Sequence, residues 1–198
     1  WNVLLGDVKN SDDWKNKVAL DFGCGKGRNV TNLLSLSEWK RVDGVDISEG
    51  NIGHCKKEFD NQNSKWFVNN GVDLEQLSSN EYDFVMSTIT LQHIPVYDIR
   101  RSLIEEILRV LKPGGIFSFQ MAFGPASKGD YRNPALYYDN MYHAQNTNSA
   151  WDVRVSNEED IIKDLKEIGF EGVETKVCDS FSDNQHPQWI YVKCQKAK

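Results

Sequence analysis

Hydrophobic positions along the chain fall into two alternating patterns: short apolar runs, and longer stretches in which apolar residues recur at helical spacing. The short runs predict strands at Lys17–Phe22, Arg41–Asp46, Lys65–Val68, Tyr82–Ser87 and Ile116–Met121. The helical spacing predicts helices at Arg28–Leu36, from Ser48 to about Phe59, at Ile99–Leu111 and from Ser156 to Gly169. Two further β-like segments close the chain, at Gly172–Cys178 and Gln188–Cys194.

Local signals place the ends and the buried faces of these helices. Ser48 is a capping residue, Ser156 with Glu159 matches a capping box, and Pro113–Gly115 is expected to end the long helix. The apolar face of the first helix is predicted to comprise Val30, Leu33, Leu34 and Leu36.

Strands that alternate with helices as far as Met121 predict a parallel sheet with helices on both faces. The connection between the last two β-like segments is short and contains a proline, so it has no room for a crossover helix. We therefore expect an α/β, doubly wound, mainly parallel seven-stranded sheet with an antiparallel C-terminal hairpin strand.

Length and charge restrict the class of protein. A chain of 198 residues favours one domain spanning 1–198. Its 23 basic and 29 acidic residues give a net charge of −6, which lacks the basic surface typical of nucleic-acid binding. Because no apolar stretch approaches the ~18 residues of a membrane helix, a membrane partner is not expected either.

The cysteines favour neither a disulfide framework nor a metal site. Cys24, Cys55, Cys178 and Cys194 form no C-x-x-C pair. We expect free thiols, a cytoplasmic location and no bound metal.

The segment Val18–Gly27 carries the most specific signal in the chain. Gly23, Gly25 and Gly27 follow a predicted strand and would let the backbone approach a ligand closely. Asp46 lies 19 residues after Gly27, at the end of the next predicted strand, where a carboxylate can accept both hydroxyls of a ribose. A tight strand–helix turn without a ligand is the alternative interpretation of the glycines.

The type of ribose ligand follows from Asp21 and the glycine spacing. Dinucleotide sites use G-x-G-x-x-G, whereas this turn is G-x-G-x-G. A carboxylate at Asp21 would repel a pyrophosphate but suits a cationic amino-acid ligand. S-adenosylmethionine (SAM) carries an ammonium, a sulfonium and a ribose without phosphate, so the chemistry favours it.

Four motifs together resemble the class I SAM-dependent methyltransferases. They are VALDFGCGKGRN, VDGVDIS, YDFVMSTITLQHIP and LRVLKPGG, within Lys17–Met121. The resemblance is closest to the small-molecule members and implies a Rossmann-like fold. It also implies methyl transfer from SAM to a small-molecule acceptor by in-line displacement, with S-adenosylhomocysteine as product and no metal.

The resemblance also implies roles for individual residues. Asp21 would hold the ammonium of SAM, Asp46 its ribose hydroxyls, and Ile47 would pack on the adenine. Val72 or Asp73 would also touch the adenine. The residues implied for the rest of the cofactor are Gly23, Cys24, Gly25 and Gly27 around the methionine part, and Ser87, Thr88 and Ile89 beyond the fourth strand.

Two histidines are candidates for a general base, which is needed only if the acceptor must lose a proton. His93 follows the fourth predicted strand, near the expected methyl group, and is either a base or a structural residue that contacts the cofactor. His143 is the second candidate, with an exposed loop histidine as its alternative interpretation.

The connection 123–155 is long and aromatic, which favours an inserted lid or substrate-recognition segment over a bare loop. A surface lobe or oligomer contact is the alternative. The candidate substrate residues in it are Tyr131, Tyr138, Trp151 and Arg154.

Two other functions stay open. An RNA or protein methyltransferase is disfavoured by the acidic balance and by Ser87–Thr90 standing where an amine-methylating enzyme has Asn-Pro-Pro-Tyr. A SAM-binding protein without transferase activity would bind SAM but would methylate no acceptor.

Overall fold

The protein is described by a computed structural model that covers residues 2–6, 14–59, 63–124, 135–142, 152–180 and 188–198. The helices are α1 (Asn2–Leu5), α2 (Arg28–Leu36), α3 (Glu49–Glu58), α4 (Tyr97–Val110) and α5 (Glu158–Ile168). The strands are β1 (Val18–Phe22), β2 (Arg41–Asp46), β3 (Trp66–Val68), β4 (Tyr82–Thr88), β5 (Leu111–Phe123), β6 (Ala135–Leu136), β7 (Val153–Val155), β8 (Phe170–Asp179) and β9 (Gln188–Lys196). A short 3₁₀ turn, Leu91–His93, follows β4.

The nine described strands form one sheet. Seven of them run in the order β3-β2-β1-β4-β5-β9-β8, and β7 and β6 continue from the end of β5. Strands β1 to β5 pair in parallel, and β9 runs antiparallel to both β5 and β8. The predicted seven-stranded sheet with its antiparallel hairpin is therefore confirmed. The short strands β6 and β7 were not predicted; β7 pairs with Ala122 and Phe123 at the end of β5.

The end of α4 differs from the prediction. The helix stops at Val110, and β5 begins at Leu111, which pairs with Tyr82 of β4. The stretch Pro113–Gly115 is accommodated as an irregularity where the β4–β5 register shifts, rather than as a separate turn. Gly115 suits this position because a Cβ there would lie 2.9 Å from the Lys112 carbonyl oxygen.

Two details of the predicted helices are wrong. Asn157 caps α5, because the helix begins one residue later than the capping box requires and the Asn157 side chain accepts from the Glu159 amide at 3.1 Å. Ser156 therefore lies outside the helix. Leu36, the last residue of α2, is 37% exposed, whereas Val30 and Leu33 are buried as predicted.

The core has one layer on each face of the sheet. One layer packs α4 and α5 against the strands through residues such as Leu103, Ile107 and Leu165. The other packs α1, α2 and α3 through residues such as Leu5, Leu33 and Ile52. With both faces covered, the carboxyl edge of the parallel strands is the place left for a ligand.

In the described parts of the chain, no helix combines the length and apolar character needed to cross a membrane.

Candidate functional site

A cavity of about 320 Å³ lies at the carboxyl ends of β1, β2 and β4, a volume within the range of small-molecule sites. Its described lining residues are Phe22, Gly23, Val45, Asp46, Ile47, Asn69, Gly71, Thr90, His93, Ile94 and Leu103. Four of the predicted site residues thus meet in one pocket: Gly23, Asp46, Ile47 and His93.

Gly23 forms the turn at the end of β1 in a conformation that only glycine adopts easily. Its φ is +76°, and its amide donates to the Val45 carbonyl at 2.8 Å. A Cβ on Gly23 would lie 2.1 Å from Thr90 Oγ1 and 2.6 Å from Thr90 Cβ. The turn therefore needs glycine for its backbone angle and for the approach of Thr90, which the sequence analysis missed.

Asp21 is a buried carboxylate with unused hydrogen-bonding capacity. It is fully buried near the end of β1, and neither oxygen has a partner at full hydrogen-bond geometry among the described residues, although the Asn29 side chain lies near enough to lower its pKa. Burial raises the pKa of Asp21 to about 7, with Asn29 and Arg28 opposing the rise. A buried carboxylate of this kind favours a cationic group as its partner.

Asp46 has a carboxylate that is held in place at the pocket. Its Oδ2 accepts from the Gly25 amide at 2.8 Å, and its Oδ1 accepts from the Ser48 amide at 2.9 Å. Ser48 in turn caps α3, since its hydroxyl accepts from the Asn51 amide. Because Oδ1 also accepts a long bond of 3.4 Å from the Asn51 side chain, most of the remaining acceptor capacity is on Oδ2, which suits a ribose hydroxyl.

The loop after β3 lines the pocket with other residues than those predicted. Asn69 and Gly71 lie in the lining, where the sequence analysis named Val72 and Asp73. Asp73 is engaged in its own turn, since its carboxylate accepts from the Asn70 amide group at 2.8 Å. This bond is the main cause of the lowered pKa of Asp73. Val72 is 44% exposed, and its cofactor contact stays a prediction.

Of the three predicted residues at and after the end of β4, two bond to neighbouring elements and one is partly exposed. Ser87 is buried, and its hydroxyl donates to the Phe22 carbonyl at 3.0 Å, which ties β4 to β1. Thr88 accepts from the Asn29 side chain at 2.9 Å. Ile89 is 40% exposed with a φ of +60°, a strained conformation for a β-branched residue. The lining residue here is Thr90, two positions after Thr88.

The rest of the glycine turn serves packing and backbone contacts. Cys24 is buried in the core layer of α2 and α3, and burial raises the pKa of its thiol, so it is an unreactive core residue. Gly25 donates its amide to Asp46. Gly27 has a φ of +83°, and a Cβ there would lie 2.9 Å from the Trp66 ring. These residues shape the turn, and their cofactor contacts stay predictions.

His93 is paired with a carboxylate that the sequence analysis did not find. Its Nδ1 lies 2.6 Å from Oδ1 of Asp152, which is almost completely buried, while the His93 side chain is 51% exposed. Asp152 directly precedes β7 and is separated from His93 by 59 residues. No local pattern could have linked the two, because the contact is made by the sheet.

The described part of the connection 123–155 packs on α4 and α5. Tyr137 donates to Asp164 Oδ2 at 2.7 Å, and Tyr97 donates to Asp164 Oδ1 at 2.6 Å. The buried Arg100 also donates to the Tyr137 carbonyl. This network ties Tyr137 to the two helices, and the role of the connection 123–155 as a lid or substrate-recognition segment stays a prediction.

The predicted substrate residues are not gathered at the pocket in the part of the chain that the structure describes. Tyr138 donates to the Asp160 carbonyl at 3.0 Å, and Arg154 is buried on β7. Neither is among the lining residues. Tyr131, His143 and Trp151 lie outside the described residues, and their roles stay predictions.

Comparisons with known proteins identify the family of the chain. A family model described as a methyltransferase domain matches residues 20–119, just over half of the chain. The chain is 31% identical over 123 residues to the probable methyltransferase ltbC of Aspergillus luteorubrus, covering 58% of this chain and 41% of that protein.

Solved structures share the fold. A SAM-dependent methyltransferase of Methanosarcina mazei has a TM-score of 0.70 at 19% identity, with 92% of this chain and 93% of that chain covered. A phosphoethanolamine N-methyltransferase 2 of Haemonchus contortus, in complex with S-adenosyl-L-methionine, has a TM-score of 0.71 at 18% identity, with coverage of 100% and 53%. The chain spans less than half the length of the curated relatives that it matches.

Proposed function

The chain belongs to the methyltransferase-domain family, and from this premise we propose that it transfers a methyl group from SAM to a small-molecule acceptor. The single observation that carries the proposal is the buried carboxylate of Asp21, which lacks a hydrogen-bond partner among the described residues. It lies on β1 two residues before Gly23, behind the turn, and is not itself among the described lining residues of the pocket. An apolar or anionic ligand would leave this carboxylate uncompensated, whereas a ligand ammonium would pair with it.

The residues present fit the other parts of SAM. Asp46 offers acceptor oxygens for ribose hydroxyls, and Ile47, which is 66% exposed at the pocket, offers an apolar surface for a purine. When bound, SAM supplies a methyl group activated by a sulfonium. The chain holds and orients its ligands and excludes water through the apolar walls of Phe22, Val45 and Leu103.

A small-molecule acceptor is favoured over a nucleic acid by charge. The net charge of −6 gives no general attraction for nucleic acid. An RNA or protein acceptor, and SAM binding without transfer, are alternative outcomes of the experiments.

Isothermal titration calorimetry with SAM, S-adenosylhomocysteine and NAD tests the cofactor assignment. We expect the first two to bind and NAD not to bind, because Asp21 would face the pyrophosphate side of a dinucleotide. Tight binding of NAD, or no heat with either SAM or its product, would refute the proposal.

Asp46→Ala is expected to weaken SAM binding by about 1.5–3 kcal/mol, the range for a hydrogen bond to a charged group. The matched control is Asp179→Ala, because Asp179 is an exposed carboxylate at the end of β8 that accepts from the Gln188 side chain and does not line the pocket. Calorimetry should show SAM affinity for the control within about twofold of the wild type. Equal losses in the two variants would contradict the assignment of the ribose to Asp46.

A further inference from the structure

We propose that Asp152 is a positioning residue that holds the neutral His93 with its proton on Nδ1, so that Nε2 serves as the general base toward the acceptor. This inference rests on the proposed methyltransferase function and adds to it the chemical class of the acceptor. The attacked atom of the acceptor carries a proton that it must lose, as a hydroxyl does.

The chemistry of the two side chains sets the direction of the hydrogen bond between them. Nδ1 of His93 and Oδ1 of Asp152 are 2.6 Å apart. A carboxylate accepts hydrogen bonds and donates none when ionised, so the proton of this bond belongs to Nδ1. A neutral imidazole carries one N–H, and the lone pair is then on Nε2.

The backbone holds both partners in place. His93 ends the 3₁₀ turn after β4, where its amide donates to the Thr90 carbonyl at 3.0 Å. Gln92 ties the same turn to β5, since its side-chain oxygen accepts from the Ala122 amide at 3.2 Å. Asp152 precedes β7, which pairs with Ala122 and Phe123 of β5. The histidine and the carboxylate are thus attached to the same end of one strand.

The surroundings of the pair distinguish a base from a structural ion pair. The Asp152 side chain is 5% exposed, whereas the His93 side chain is 51% exposed and His93 is one of the residues that line the pocket. Because Nδ1 is engaged by Asp152, Nε2 is the ring nitrogen that a ligand in the pocket can bond. A buried carboxylate that orients a half-exposed histidine at a ligand pocket is the arrangement that activates a base in many enzymes.

In the proposed methyl transfer, His93 takes up the proton that the acceptor loses. As the acceptor atom bonds to the methyl carbon, its proton passes to Nε2, and the electron pair of the broken carbon–sulfur bond stays on the sulfur. The ionised Asp152 stabilises the imidazolium that results. An acceptor without a proton on the attacked atom, such as a thioether or a tertiary amine, would need no such pair.

Long-range ¹H–¹⁵N correlation spectra of the imidazole rings test the inference, with His93 assigned by the signals lost in His93→Gln. For wild type at a pH where the ring is neutral, we expect the Nδ1–H form to predominate. Asp152→Asn should shift the ring toward the Nε2–H form, because the charged acceptor is gone. The control Asp98→Asn, an exposed carboxylate that accepts from Tyr142, should leave the spectrum unchanged.

Calorimetry with SAM on the same samples separates this inference from the proposed function. We expect wild type and Asp152→Asn to bind SAM within about threefold of each other. Normal SAM binding together with a predominant Nε2–H form in wild type would overturn the inference alone. Absence of SAM binding in wild type would overturn the proposed function instead.

The acceptor class is tested with labelled SAM and paired acceptors that present a hydroxyl or a thioether on the same scaffold. Label transfer to the hydroxyl that falls at least tenfold in Asp152→Asn, mainly in kcat rather than in KM, supports the inference. Transfer to the thioether member overturns it.

Discussion

Gly23→Ala is expected to lower the free energy of unfolding by about 2–5 kcal/mol and to abolish measurable SAM binding. The left-handed backbone at a φ of +76° costs a side-chain-bearing residue roughly 1–2 kcal/mol. The new Cβ would also lie 2.6 Å from Thr90 Cβ, so rotating the threonine does not relieve the collision. Overpacking of this kind adds roughly 1–3 kcal/mol.

The matched control is Gly53→Ala in α3, where a Cβ would meet no atom of the described residues within 4 Å. This control should stabilise the protein by about 0.4–1 kcal/mol. Chemical denaturation gives the stabilities, and calorimetry gives the SAM affinities. If Gly23→Ala unfolds at the wild-type denaturant concentration and binds SAM normally, the turn does not have the described geometry.

Asp21→Asn is expected to affect ligand binding and stability in opposite directions. Loss of the carboxylate leaves the ligand ammonium unpaired in a buried site, at a cost of about 2–5 kcal/mol, or at least about 30-fold in SAM affinity. The same change removes a buried charge without a hydrogen-bond partner among the described residues, so the ligand-free protein should be more stable above pH 7.

The pH dependence follows from the raised pKa of Asp21, about 7 in the folded protein against 3.8 for an ordinary aspartate. Between pH 4 and 7 the Asp21 carboxyl is protonated in the folded state and ionised in the unfolded state. The contribution of Asp21 to the free energy of unfolding therefore falls as the pH rises from about 4 to 7. Since the ammonium pairs with the ionised form, SAM affinity should rise over the same range. The rise should approach tenfold per pH unit well below pH 7, and Asp21→Asn should lack both trends.

Asp43→Asn is the matched control for Asp21→Asn. Asp43 is equally buried, but it accepts from Tyr82, Arg41 and the Lys65 amide, away from the pocket. Its replacement should destabilise the protein and leave SAM affinity unchanged. Thermal unfolding and calorimetry from pH 5 to 8 distinguish the two variants. An Asp21→Asn protein that is less stable than wild type at pH 8 and retains its SAM affinity would contradict the role of Asp21.

The sequence predicted those elements correctly whose bounds depend on residues within the element itself. The spacing of Val30 and Leu33 defined α2, the Ser48 cap began α3, and the strand before Gly23 ended at Phe22 as predicted. Asp46 was found because a carboxylate at the end of the second parallel strand must lie beside the turn that ends the first.

Other features were settled only by contacts between distant parts of the chain. The cap of α5 is Asn157 and not Ser156, and a capping pattern shifted by one residue looks equally good in sequence. Thr90 and Asn69 line the pocket, whereas Asp73 bonds to Asn70 within its own turn. Loop conformation decides these contacts, and the sequence pattern does not specify it.

The sequence by itself determined the sheet, the glycine turn and the two acidic residues beside it, because each depends on the spacing of neighbours along the chain. Only the tertiary structure decided that Asp152 meets His93. The two residues lie 59 positions apart, and their contact exists because β7 pairs with the end of β5 while the 3₁₀ turn that carries His93 packs beside it. A pairing that depends on strand register and burial, rather than on spacing, has no signature in a single sequence.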